Sequence, residues 1–245
     1  MRNLHLKLGF EVNTMFANGK NTFVLIGFII LSIFASACGT QAGKTKNQKP
    51  KDAAKLPATA TDKPKIVAFG DSLTAGFGLS EKESYPFLLQ QKLNAEGYSY
   101  EVINAGVSGD TSQGGLERID WSLEQENVQI LILELGANDL LRGLAPSKMK
   151  RNLGEIIKKA QAKKVRVLLC GMLAPPNMGV KYQQEFIRAF PDLADEYKVE
   201  FMPFILEGIA LDKKLNQADG IHPNAEGAKI LTENVYKSLK PMLVK

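Results

Sequence analysis

From about residue 63 onward, short apolar runs alternate with longer stretches in which apolar residues recur every three or four positions. The runs are 65–70 (KIVAFG), 100–105 (YEVINA), 128–135 (VQILILEL), 165–170 (VRVLLC) and 200–206 (EFMPFIL). They are rich in Val, Ile and Leu and nearly unbroken in apolarity, the pattern of strands covered on both faces. The amphipathic stretches lie near 84–96, 113–125, 147–163, 180–197 and 224–239 and predict helices. This alternation predicts an α/β domain with helices on both faces of a parallel sheet. Residues 63–245 suffice for one such domain, burying roughly 70% of its chain surface. In open sheets of this kind the working crevice lies beyond the carboxyl ends of the strands, where strand order reverses. The loops to watch are therefore 70–80, 105–112, 136–143, 171–179 and 213–224.

Upstream the pattern differs. Residues 23–37 (FVLIGFIILSIFASA) carry no charge and end in small residues before Cys38. A spanning helix needs about 20 apolar residues, so this run suits a secretory leader. Residues 1–37 are read as a signal segment of lipoprotein type, with Met15 as an alternative start and Cys38 as the lipidated residue. Ala35 stands where such signals usually carry Leu. Ordinary cleavage and an uncleaved anchor are the alternatives. Residues 38–62 lack apolar periodicity and read as a flexible basic tether. Anchored at Cys38, it would set its lysines against anionic head groups; plain solubility explains the same composition. These readings imply the bacterial cell envelope, periplasm-facing or extracellular, with the membrane as a partner.

Charge sharpens this division. The chain has 31 Lys/Arg and 26 Asp/Glu, of which eight and three lie in residues 1–62, leaving 23 of each for the domain. A neutral domain argues against nucleic acid as its partner. The two cysteines are Cys38 and Cys170, and Cys170 lies in an apolar run that predicts a buried, inert thiol. The two histidines are His5, in the leader, and His222, so the mature chain lacks the donors for a zinc site of the Cys/His type.

The loops carry the candidate chemistry. Ser72 follows the first run directly, in GDSLTAG; taken alone it is a helix cap. Gly109 in NAGVSGDTS offers an unobstructed backbone N–H. Asn138 in ELGANDLLRG offers a side-chain amide that can donate to an oxyanion or simply close a turn. DGIHPN places Asp219 three residues before His222, spacing that lets a carboxylate orient an imidazole base. Pro223 and Asn224 then open the last helix, with proline in its first turn. No GxSxG elbow, GxxxxGK[ST] loop or GxGxxG fingerprint is present. Leu141, Leu144 and residues 173–179 are candidates for an acyl-binding wall by loop position, or for core packing. Gly76 and Gly78 have no assigned role beyond a turn or loop mobility.

Together, GDSLTAG at 70–76, SGDTS at 108–112, GANDL at 136–140 and DGIHPN at 219–224 resemble the four sequence blocks of the SGNH, or GDSL, hydrolase family. The resemblance covers 63–245 and is strongest toward the bacterial arylesterase, acyl-CoA thioesterase I and lysophospholipase L1 group. It implies a three-layer α/β/α, flavodoxin-like fold with a five-stranded parallel sheet. It implies Ser72 as nucleophile, His222 as base and Asp219 as its orienter. The implied oxyanion hole is the Ser72 N–H, the Gly109 N–H and the Asn138 amide, with no cofactor and no metal. The expected activity is hydrolysis of carboxylic esters or thioesters, such as aryl or alkyl esters, acyl-CoA or lysophospholipids. The alternatives are an O-acetyl esterase of envelope glycans and a non-catalytic envelope-binding lipoprotein.

Overall fold

The computed structural model describes residues 63–245; the leader, the tether and Cys38 lie outside the described residues. Five strands, β1 (Lys65–Gly70), β2 (Glu101–Gly106), β3 (Val128–Glu134), β4 (Arg166–Cys170) and β5 (Glu200–Met202), form one parallel sheet in the order β2-β1-β3-β4-β5. The expected three-layer α/β/α architecture is what the chain adopts. β1, β3 and β4 are the inner strands, and Ile66–Phe69 of β1 and Ile130–Leu133 of β3 are fully buried. Their unbroken apolarity follows from having helices on both sides. β2 is an edge strand and is only partly covered.

Seven helices accompany the sheet among the described residues: α1 (Ser72–Ala75), α2 (Tyr85–Ala95), α3 (Ser112–Leu123), α4 (Ala137–Leu141), α5 (Pro146–Ala162), α6 (Val180–Tyr197) and α7 (Ala225–Leu239). The helix α5 buries Met149, Leu153, Ile156, Ile157 and Ala160, and α6 buries Phe186, Ala189, Phe190 and Leu193. That spacing of three and four places one apolar stripe on each helix, and the stripes meet. The helices α3, α5 and α6 pack together in one layer, and α2 pairs with α7 in the other. Among the described residues no helix is long and apolar enough to cross a membrane.

Two expectations need correction. The run 200–206 is a strand only through Met202. Pro203 has no N–H to continue the ladder, and the chain leaves the sheet after the Gly171 N–H bonds the Met202 carbonyl. The last helix opens at Ala225, with Asn224 as its cap: the Asn224 side chain accepts from the Glu226 and Gly227 N–H groups. Pro223 lies before the helix, bridged to Asn216, and not in its first turn.

The order places β1 between β2 and β3, so strand order reverses at β1. The loops after β2, β1 and β3 therefore open side by side at one end of the sheet.

Candidate active site

Ser72 is the first residue of α1, but it is not the cap. Asp71 is: its Oδ1 accepts from the Leu73 N–H at 3.1 Å. This frees the Ser72 hydroxyl, which lies 2.8 Å from His222 Nε2 across 150 residues of sequence. On the other side of the ring, His222 Nδ1 is 2.7 Å from Asp219 Oδ2. Asp219 is itself held locally, with Oδ1 accepting from the N–H groups of Ile221 and His222. The His222 hydrogen bond and these two N–H donors hold its carboxyl down to about 2, although the side chain is largely exposed. The structure thus brings Ser72, His222 and Asp219 into one hydrogen-bonded chain.

The remaining expected groups lie in the loops after β2 and β3. Asn138 is the second residue of α4, and one of its amide protons goes to Asp71 Oδ2 at 3.0 Å. A primary amide carries two N–H donors, so one remains for a ligand. Gly109 lies in the loop after β2 with φ +86°, a conformation that favours glycine. The Arg142 guanidinium donates to its carbonyl at 2.7 Å and fixes that peptide plane. Among the described residues, neither the Ser72 N–H nor the Gly109 N–H has an acceptor. Each of the three expected donors thus has an N–H left for a ligand, and Asn138 is tied directly to the residue before Ser72.

Beneath them lies a polar network whose members motif reasoning did not single out. Glu134, the last residue of β3, is 1% exposed; its Oε2 accepts from the Asp71 N–H at 3.2 Å and from the Thr74 hydroxyl at 2.8 Å. Thr74 also contacts the Tyr85 hydroxyl at 3.3 Å. Asp71 is fully buried beside Glu134, whose other oxygen, Oε1, is buried with no hydrogen-bond partner among the described residues. Two carboxylates in a dry site cannot both ionise cheaply, so burial and mutual repulsion push Glu134 well above the usual carboxylate range. Burial raises Asp71 as well, against the hydrogen bonds that favour its charged form. The pair retains a proton where ordinary carboxylates have lost theirs.

Other links tie the loops together. Arg118 of α3 pairs with Asp110 at 2.5 Å and donates to the carbonyls of Ala105 and Gly70, each at 2.9 Å. Asp139 is buried and accepts from the Ser112 N–H and hydroxyl at 2.7 and 2.6 Å. These contacts join the Gly109 loop to the loops holding Ser72 and Asn138. A charged residue ending a buried run, as Glu134 does in LILEL, is the sequence signal that could have exposed this network. Arg118 carries no such signal.

Of the acyl-wall candidates, Leu141 and Leu173 are 63% and 44% exposed, which excludes core packing for them. Leu144 is half-buried, and its carbonyl accepts from Tyr182. Phe77 and Ile221, from the Ser72 and His222 loops, are also about half exposed. The Phe77 ring lies 4.7 Å from the His222 ring, tilted by 40°. Cys170 is buried as expected, and burial pushes its thiol far above the usual range.

Comparison with known proteins agrees with this picture. Residues 68–230 match the GDSL-like lipase/acylhydrolase family. The chain is 43% identical over 178 residues to esterase TesA of Pseudomonas aeruginosa, covering 73% of this chain and 89% of that protein. It is 35% identical over 178 residues to thioesterase 1/protease 1/lysophospholipase L1 of Escherichia coli K12, covering 73% of this chain and 84% of the other. A crystal structure of TesA superposes with a TM-score of 0.71 at 42% identity, covering 73% of this chain and 99% of that one. With the fold, the four loops and these relatives in agreement, the chain belongs to the GDSL-like lipase/acylhydrolase family and is a carboxylic ester hydrolase.

Proposed function

We propose that Ser72, His222 and Asp219 hydrolyse apolar carboxylic esters and thioesters through an acyl-enzyme. The observation that carries this reading is the continuous chain from Ser72 Oγ to His222 Nε2 at 2.8 Å and from His222 Nδ1 to Asp219 Oδ2 at 2.7 Å. Asp219 accepts the Nδ1 proton, which leaves Nε2 as the lone pair facing Ser72. Ser72 Oγ attacks the acyl carbonyl carbon while its proton passes to His222 Nε2. The carbonyl oxygen becomes an oxyanion held by the Ser72 N–H, the Gly109 N–H and the free Asn138 N–H. Collapse breaks the ester bond, and the leaving alcohol or thiol takes the proton from His222. Water then attacks the acyl-enzyme with His222 again as base, releasing the acid and restoring Ser72.

The rim supports an apolar acyl group. Phe77, Leu141, Leu173 and Ile221 expose apolar surface on four loops at this end of the sheet. Aryl or alkyl esters, acyl-CoA and lysophospholipids are the candidate substrates, in keeping with the thioesterase and lysophospholipase names of the E. coli relative. A fluorophosphonate probe should label the wild type and not Ser72→Ala; equal labelling of the two would sink the nucleophile assignment. On a series of nitrophenyl esters, activity should persist beyond acetyl, and confinement to acetyl would exclude a lipid-like substrate. We also assign Cys38, outside the described residues, as the lipidated anchor of an envelope protein. Cys38→Ser should then move the protein from the membrane to the soluble fraction, and unchanged fractionation would refute the anchor.

A further inference from the structure

Two polar contacts among the described residues join the loop after β1 to the loop before α7: the Ser72–His222 hydrogen bond, and one made by Gln217. The Gln217 amide donates to the Phe77 carbonyl at 2.7 Å, across 140 residues of sequence. The same amide nitrogen donates to the Pro223 carbonyl at 2.9 Å. The Gln217 backbone N–H donates to the His222 carbonyl at 2.8 Å. Gln217 therefore holds the backbone on both sides of the His222–Pro223 bond and, at once, the residue whose ring lies against His222. The primary amide has two donors, and both are used on carbonyls.

Gly78 fits this contact. A Cβ there would lie 2.1 Å from Gln217 Oε1 and 2.9 Å from its Cδ. Gly78 also has φ +74°, so both space and backbone conformation call for glycine next to the Gln217 side chain.

Resting on the assignment of Ser72 and His222 above, we propose that Gln217 is a positioning residue that sets the base against the nucleophile by clamping the Phe77 and His222 loops together. It touches no reacting atom; it acts through His222 and Phe77. The base loop needs such a part because its other anchors are local. Asp219 bonds only within its own turn, and the Asn216–Pro223 bridge and the Asn224 N–H to the Leu215 carbonyl close only its neck. A displacement of about 1 Å between reacting groups costs about 10²-fold in rate, so a loose loop would be felt in catalysis before it was felt in folding.

The test uses Gln217→Glu, which keeps the shape and removes both N–H donors, and Gln217→Ala. The readouts are the second-order rate of fluorophosphonate labelling, kcat and KM for a nitrophenyl ester, and the melting midpoint. Labelling rate and kcat should fall about 10²-fold in Gln217→Glu with KM within about threefold of wild type. The melting midpoint should hardly move, because the freed carbonyls lie at a half-exposed site where water replaces the amide. Gly78→Ala should reproduce the kcat loss, and should add little to Gln217→Ala because the two act on one contact. Wild-type labelling by a folded Gln217→Glu, or a loss confined to KM, would overturn the proposal. Loss of folding in all three single variants would also overturn it, by making Gln217 and Gly78 purely structural. Ser72→Ala is run alongside. If it labels like wild type, the nucleophile assignment fails; if it is silent while the Gln217 variants label normally, only the clamp fails.

Discussion

Ser72 leaves a strand that is buried along its length, and the groups behind it, Asp71, Thr74, Glu134 and Tyr85, are all buried and hydrogen-bonded to one another. His222 stands in a loop whose neighbours Asp219, Gly220 and Ile221 are exposed, and which is held by hydrogen bonds to itself. Ser72, the proposed nucleophile, is thus placed by the core, and His222, the proposed base, by a local turn and the Gln217 contact to Phe77. In the first region a lost hydrogen bond leaves a dry polar group unsatisfied. In the second, water can replace it. Substitutions on the nucleophile side should therefore damage folding as well as rate, whereas those on the base side should damage chiefly rate.

The largest effect falls on the base side. Asp219→Asn should lower kcat by about 10⁴-fold, because an amide at this position favours the wrong imidazole tautomer. The melting midpoint at neutral pH should fall only by the modest height of the acid limb that the Asp219 carboxylate supplies, since the side chain is exposed and its partner His222 lies in the same loop. A large fall in the midpoint would show that the loop is not self-contained and would break the contrast between the two regions.

Next comes Asn138, which belongs to both descriptions. Asn138→Ala should lower kcat by about 10²–10³-fold by removing one oxyanion donor. It also deprives the buried Asp71 of a hydrogen bond, so unlike Asp219→Asn it should lower the melting midpoint measurably. If only the midpoint moved, Asn138 would belong to the scaffold alone.

These two cases show how far the sequence could be read. The buried strands declared themselves by unbroken apolarity, and the major helices by their period of three and four. Ser72, Gly109, Asn138, Asp219 and His222 were legible because each lies in a short loop of distinctive composition after a strand or before a helix. Ser72 nonetheless looked like a cap, because a serine and an aspartate at the start of a helix have the same propensity. Only the contact from Asp71 Oδ1 to the Leu73 N–H separates them. Gln217, Arg118 and Glu134 were not legible as partners because each acts across dozens of residues: Gln217 on Phe77, Arg118 on Gly70, Glu134 on Asp71. No local pattern encodes such pairs.

Glu134 gives the sharpest test of the dry side. In Glu134→Ala the Asp71 N–H and the Thr74 hydroxyl both lose their acceptor, at about 1–3 kcal/mol for each buried group left unsatisfied. Glu134→Gln keeps an acceptor oxygen for those two donors and, like a protonated Glu134, carries no charge beside Asp71. Chemical denaturation at neutral pH should therefore show Glu134→Ala strongly destabilised and Glu134→Gln close to wild type. Equal damage from both would mean that Glu134 is needed as an anion and that the pair does not hold a proton.

The smallest effect is the pH dependence of stability, and the two regions contribute with opposite signs. Asp219 has its pKa lowered to about 2 in the folded chain, from 3.8. Its contribution is present above the unfolded value and is lost as pH falls toward about 2, so it makes stability rise with pH in that acid range. Asp71, raised to about 6, and Glu134, raised further, act the other way. Between the ordinary carboxylate range and their folded values, the folded chain holds protons that the unfolded chain has released. Stability must then fall as pH rises through that window. Melting midpoints should climb from about pH 2 to about 4 and decline from there through about 6 and beyond. In Glu134→Gln the second acid is gone and Asp71 has no carboxyl neighbour, so the declining limb should flatten while the acid limb stays. In Asp219→Asn the acid limb should shrink while the declining limb stays. A declining limb unchanged in Glu134→Gln would assign it to groups outside the buried pair.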